Sequence, residues 1–435
     1  MSTVMTQYDA TWSALVAEAT TRATEGPTWL RNVRARGLRT FQEFGVPTPK
    51  VEEWKYTPLR AIAEREWHVA EPGPAWFEPA LPTWQAGAIR IVLVNGRFDA
   101  NLSQFDRTSG LQIVSLREAL ADESHWVGQY IGGLARIERH PMAALSTALF
   151  QDGVAIRVRA GHAVETLIEI VHVTDGTGVA TPRVLLVAEE GSVAKVIEAY
   201  VTTPNADALT LPVTEVYVER AANLEHVRLQ HEALTSHHIG LWETRQAQGS
   251  EYRSYNVAFG GRLARTDQAI DLQGEHCITR LDGVVVASGE QLIDNHTRLD
   301  HALPNCNSFE IYKQVIDDDA TVVFNGQIYV HPHAQKTDAK QTNQALLLSP
   351  RATINSKPQL EIFADDVKCT HGATVGQLED LPLFYMRQRG VPKELAESLL
   401  VYAFAAEVLE LISVEEVKRD LETRLYRKLG TEPVI

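Results

Sequence analysis

Cys369 and His371 stand two residues apart in VKCTH. Side chains alternate along an extended strand, so Val367, Cys369 and His371 fall on one face, and a soft thiolate and an imidazole point the same way. Such a pair can share a metal ion or take up a sulfur atom. It cannot cage a metal cluster, which takes four ligands. The missing donors would have to come from another subunit. The plainer alternative is a structural cysteine beside a hydrogen-bonded histidine.

Other chemistry-bearing residues form weaker constellations. His331 and His333 in YVHPH would share a strand face, as a metal-dependent oxygenase would use them, but Pro332 between them favours a turn and AQKTDAK supplies no downstream glutamate. His231 and Glu232 open HEALTSH, yet His237 lies six residues on, where a zinc-binding helix needs its second histidine four away. The runs Asp317-Asp318-Asp319 and Asp365-Asp366 admit a calcium-using, β-solenoid carbohydrate-active enzyme, although such runs are usually solvated turns. Cys277 and Cys306 lie elsewhere, with nothing local to bring them together. Nucleotide chemistry has no cradle: GxxxxGK[ST], GxGxxG and GxSxG are all absent, and GATVG (372–376) lacks the phosphate-binding lysine. Any ATP-driven step belongs to a partner.

The elements that must position these residues are legible in the patterning. The chain has 435 residues, 44% hydrophobic and 22% charged, enough for two or three domains with a substantial core. A formal charge of -15 argues against nucleic-acid binding, which needs a basic surface. Three cysteines make no disulfide framework, and neither an export signal nor an apolar run long enough to span a membrane is present, so a cytoplasmic protein is expected.

Trp12, Leu15, Val16 and Ala19, then Leu30, Val33, Leu38, Phe41 and Phe44, are spaced as two helices broken at Gly26-Pro27. The prolines 72, 74, 79 and 82 punctuate the chain before the apolar run 89–94, and a boundary is expected near residue 85. From 151 to 372 short β-branched runs alternate with polar residues, and turn signals at Gly191, Ala221, Gly249 and Gly274 recur at a spacing that suggests stacked coils, a β-solenoid rather than a barrel. The expected divisions are an N-terminal helical region (1–85), a mixed connecting region (86–150), the solenoid (151–372) and a C-terminal helical domain (373–435). In the last, Leu395, Leu399, Tyr402, Ala406 and Leu409 form one apolar seam, with Leu400, Phe404, Val408 and Leu411 beside it. So wide an apolar arc buries two faces, either both in its own domain or one against a partner. Val417–Leu429 reads as an exposed amphipathic helix.

The run from Val323 to Glu410 also resembles the SufB/SufD family of Fe–S cluster assembly proteins. KTDAKQTNQALLL and ADDVKCTHGATVG carry the likeness, followed by LFYMRQRGV and VYAFAAEVLE, with a weaker echo in VEEWKYTPL (51–59). Within the family it is most similar to the SufD branch, because the chain is short for SufB and YAFAAE has the SufD form. The resemblance implies a mainly β protein, a right-handed parallel β-helix flanked by N-terminal and C-terminal helical domains. It implies a non-catalytic scaffold subunit that pairs with a SufB-like paralogue through the β-helix, or with itself when SufB is absent. A SufC-like ABC ATPase would dock on the C-terminal helices, which favours Leu400, Phe404 and Val408 as partner contacts. Cys369 and His371 match the family's KC-x-HG motif, near the SufB interface, where a transient Fe–S cluster would form; none is expected to stay tightly bound to the isolated chain. No role carries over to Cys277, Cys306, His331 or His333.

Overall fold

The computed structural model describes residues 10–71, 73, 81–105, 108–122, 125–204 and 206–429; Pro72, Pro74 and Pro79 lie outside them. The N-terminal periodicity becomes two helices, Ser13–Arg22 and Thr28–Phe44, divided at Gly26-Pro27. The second packs on a later helix, Pro141–Leu149, whose every residue is buried. Gly37 permits this approach, since a Cβ there would lie 2.6 Å from Ala144 O.

The β region winds as a parallel β-helix of about eight turns, as the residue pattern implied. One sheet runs Ile89–Val94, Ile168–Thr174, Val193–Thr202, Asn223–His231, Glu251–Ala258, Ile278–Ala287, Asn307–Ile316, Asp338–Leu347 and Lys368–Gly376, all parallel. The facing sheet runs from Gly153–Val158 to Thr321–Val330 and Thr353–Ile362. Each position meets its counterpart about 30 residues on. Sheets buried on both faces need apolar cover outside as well as inside, and the two helical regions supply it. Trp12, Leu15, Phe41, Trp54 and Leu145 pack with Leu241 and Leu263 outside the second sheet. Val401, Ala405, Val408, Leu409 and Leu421 pack with Val284, Val286 and Val315 outside the first.

The solenoid begins earlier than 151. Ile89–Val94 already pairs in parallel with Ile168–Thr174, and Leu111–Ser115 pairs antiparallel with Gly153–Val158, so much of the expected connecting region is the solenoid's first turn. Its last strand runs to Gly376, past the expected end at 372, and the C-terminal helices are Asp380–Gln388, Lys393–Leu409 and Glu415–Lys428. The first strand was missed because its partner in the sheet lies about 79 residues away, beyond any local pattern.

Candidate functional site at the open end of the solenoid

Among the described residues, Lys368–Gly376 is paired on one side only. Its register sets Cys369 opposite Ala339 and His371 opposite Gln341, both buried inside the solenoid. The shared face expected for Cys369 and His371 is therefore the inward one. Cys369 is half-buried and packs against the interior cluster, whereas His371 is exposed because no further coil covers it. Burial pushes the Cys369 thiol up, and the nearby Asp338 adds to this against a backbone hydrogen bond at Ala339. Within this chain the group is a protonated thiol at neutral pH. It becomes a good ligand or nucleophile only when positive charge is brought to it.

The main chain at this end also has no partner strand on one side among the described residues. Lys368 N–H donates to Thr337 O at 2.8 Å. Bonding alternates along the strand, so the backbone groups of Cys369, His371, Ala373 and Val375 face the open side. The second sheet ends likewise at Thr353–Ile362, where Pro358 is tolerated because an edge strand can lack a donor. Phe363 and Val375 add exposed apolar surface beside these edges.

The remaining candidates resolve into structural roles. His331 Nε2 lies 2.7 Å from Asp300 Oδ1, while His333 sits exposed in the turn after Val330, so the two imidazoles do not form a ligand pair. Among the described residues no group of three or more His, Cys, Asp or Glu could hold a metal ion. Asp319 pairs with Arg351 and Asp366 with Lys336, each linking one exposed turn to the turn of an adjacent coil. His231 bonds Arg424 at 2.8 Å, and His238, not His237, meets Glu232 at 2.7 Å. A cavity of about 600 Å³ lies on the outer face of the second sheet, and neither Cys369 nor His371 lines it. Several of its charged residues are paired: Arg136 with Glu243, Arg265 with Asp267, Lys357 with Glu52.

Of the expected partner stripe, only Val408 has no surface of its own to offer a partner. Val408 is fully buried against the first sheet, and Phe404 is half-buried with Lys313 Nζ 4.6 Å from its ring centroid; Leu400 is half-buried as well. One side of Lys393–Leu409 is thus consumed within the chain, because the helix packs against both the first sheet and Glu415–Lys428. The exposed apolar surface belongs to the preceding helix, Asp380–Gln388, which buries no residue and leaves Leu381, Phe384 and Tyr385 63%, 55% and 51% exposed. Their i, i+3, i+4 spacing was visible in LPLFYMRQ, but only the fold shows that nothing among the described residues covers them.

Sequence reasoning also missed the ionisable groups inside the solenoid. Glu198 accepts from Tyr200 Oη at 2.6 Å and Thr214 Oγ1 at 2.9 Å, with His172 Nε2 3.2 Å and His226 Nε2 3.1 Å away. Burial alone would raise its pKa; the two histidines hold it well below the usual range. Strand alternation marks these residues as inward-facing only once the register is known.

Comparison with known proteins bears on the whole chain. Residues 171–404 match the family model for the SUF system FeS cluster assembly, SufBD core domain, and residues 6–170 that for the SufBD protein N-terminal region. The chain belongs to the SufBD family. It is 32% identical over 423 residues to the iron-sulfur cluster assembly protein SufD of Escherichia coli, covering 95% of this chain and 94% of that protein. A SufBD family protein of Synechocystis is 30% identical over 431 residues, with 95% and 94% covered, and SufD of Bacillus subtilis 26% over 435, with 93% and 94%. This SufBD-family chain is SufD-like, an Fe–S cluster assembly protein. The family's two models meet inside the Ile168–Thr174 strand, so the SufBD division of sequence does not follow a structural boundary. Among the described residues no helix is long and apolar enough to cross a membrane.

Proposed function

We propose that this SufD-like chain is a non-catalytic scaffold whose open solenoid end joins a SufB-like paralogue and contributes Cys369 and His371 to an Fe–S cluster assembled between the two chains. The observation that carries the reading is the unpaired terminal coil, with a thiol and an imidazole on its inner face and free backbone donors and acceptors along its rim. An edge of this kind invites strand addition from a partner. Two donors fall short of the four that a cluster takes, so the partner completes the set and the cluster is cargo rather than a resident group.

The exposed helix Asp380–Gln388 serves in this reading as the docking surface for a SufC-like ATPase, with Leu400 and Phe404 at its margin and Val408 as internal support. ATP-driven closure of two such ATPases would move the C-terminal helices of both paralogues and expose Cys369 beside the partner's ligands. That requires an assembly with two states. The reducing cytoplasm suits three unpaired cysteines.

The test is single substitution, Cys369→Ala and His371→Ala, in the assembled complex, reading cluster maturation in cells. Loss of maturation in either variant with the complex intact supports the site. Undiminished maturation in both removes it while leaving the scaffold assignment standing.

A further inference from the structure

Cys277 and Cys306 are remote in sequence, yet the coil places them in register. Each immediately precedes a strand, with Ile278 opposite Asn307, and Asn307 N–H donates to the Cys277 carbonyl at 2.9 Å. Adjacent strands lie about 4.8 Å apart, inside the roughly 4.4–6.8 Å Cα separation that a disulfide spans. Both side chains are fully buried, and both sulfurs lie 3.2 Å from the same acceptor, Gly274 O. Cys277 Sγ is also 3.2 Å from Ala247 O, Cys306 Sγ 3.6 Å from Pro304 O, and Ser250 Oγ 3.9 Å from Cys277 Sγ.

The two thiols are also chemically unequal. A hydrogen bond from Cys306, helped by Ser250, brings the Cys277 thiol down to about 7 against the opposing effect of burial. The same hydrogen bond and burial push Cys306 up. One member is thus suited to attack and the other to resolve. The residue before Cys277 is His276, in a left-handed corner with its side chain 63% exposed, so one residue separates the pair from solvent.

We propose that Cys277 and Cys306 are a peroxide-oxidisable dithiol, a modification site separate from Cys369 and His371, which closes into a disulfide joining two consecutive coils. The Cys277 thiolate attacks one oxygen of hydrogen peroxide; the O–O bond breaks, and the departing hydroxide takes the proton that Cys277 released. The products are a sulfenic acid and water. The Cys306 sulfur then displaces hydroxide from the Cys277 sulfur, and that hydroxide leaves as water with the Cys306 proton. Two thiols and one peroxide become one disulfide and two waters, the sulfurs giving up the two electrons that the peroxide gains. Opening of the corner around His276 admits the oxidant. The corner column continues from Cys306 through Thr337 to Val367, so the crosslink would clamp the coils that lead to the open end.

The full-length Cys369→Ala protein is treated with hydrogen peroxide, quenched, denatured and alkylated with N-ethylmaleimide without reductant. The expected product has lost two hydrogen atoms, carries no maleimide, and yields a peptide linking Cys277 to Cys306. Adding Cys306→Ser should stop the reaction at a Cys277 sulfenic acid, captured by a dimedone probe. Wild type with Cys369 blocked natively by the maleimide repeats the measurement should the alanine variant misfold. Two maleimide adducts after treatment, or separate sulfinic acids without a crosslink, overturn the proposal.

Discussion

The guanidinium of Arg265 lies 3.8 Å from the centroid of the Trp54 ring and closes the VEEWKYTPL segment onto the outer face of the second sheet. Both side chains are buried. Arg265 donates to Asp267 and Asp294 at 2.8 Å each and to the Glu53 carbonyl at 2.6 Å. Arg265→Met would leave two buried carboxylates without their cation, a loss of about 3–5 kcal/mol. Trp54→Ala removes a large buried ring at about the same cost. Because the two groups touch, the double variant should lose less than the summed single losses. Thermal or denaturant unfolding of the four proteins checks this; strict additivity would mean that the stacking does not couple them.

Glu310 provides a pH-dependent prediction. It is fully buried in the solenoid, accepts from Thr297 Oγ1 at 2.6 Å and Gln341 Nε2 at 2.7 Å, and has no ion-pair partner in the described residues. Burial pushes its carboxyl up to about 7, the two hydrogen bonds opposing. A carboxyl raised above its unfolded value of about 4.3 keeps its proton in the folded state while the unfolded chain releases it, so stability falls as pH rises from about 4.3 to 7, by about 4 kcal/mol in all. Glu310→Gln abolishes that loss, since Gln341, whose Oε1 lacks a partner, can turn its amide to match. The variant should gain on wild type at pH 8 relative to pH 5 in denaturant unfolding. An equal difference at both pH values would refute the assignment.

The C-terminal helices should separate stability from docking. Val408→Ala deletes two buried methyl groups and should cost the isolated chain about 2 kcal/mol. Phe384→Glu changes an exposed position and should leave stability within about 0.5 kcal/mol. Only the second is expected to weaken co-purification with a SufC-like ATPase. If Phe384→Glu binds as wild type does, the docking surface lies elsewhere.

The open edge can be tested without touching Cys369 or His371. Ala373→Pro removes a backbone donor that faces away from the neighbouring strand, whereas Thr374→Pro removes one that faces the ladder. The first should spare the fold and impair pairing with a SufB-like chain, measured by size-exclusion chromatography of co-expressed proteins. The second should destabilise the terminal coil even in the isolated chain. Normal pairing by Ala373→Pro would argue against strand addition at this rim.

Much of the architecture was legible because it is local. Helical spacing from Trp12 to Phe44 and alternation in runs such as TEVYVER depend on residues a few positions apart, and both appear as read. The shared face of Cys369 and His371 follows from the same alternation. The coil repeat was harder to see because it is conserved in backbone shape rather than in residue type. Gly191, Ala221, Gly249, His276, Asn305 and Lys336 all take the left-handed conformation at successive corners, so a turn rule built on glycine finds only part of the series.

What the amino-acid order determined by itself was therefore most of the element types, which residues share a face within a strand, and the chemical identity of the pair in VKCTH. Only the tertiary structure decided that Ile89–Val94 opens the solenoid, that Val408 is spent on internal packing while Phe384 is not, and that Cys277 stands beside Cys306. Each of these depends on which coil lies next to which, and coil register is set by the summed packing of two sheets and their helical covers, a quantity that no short window of sequence contains.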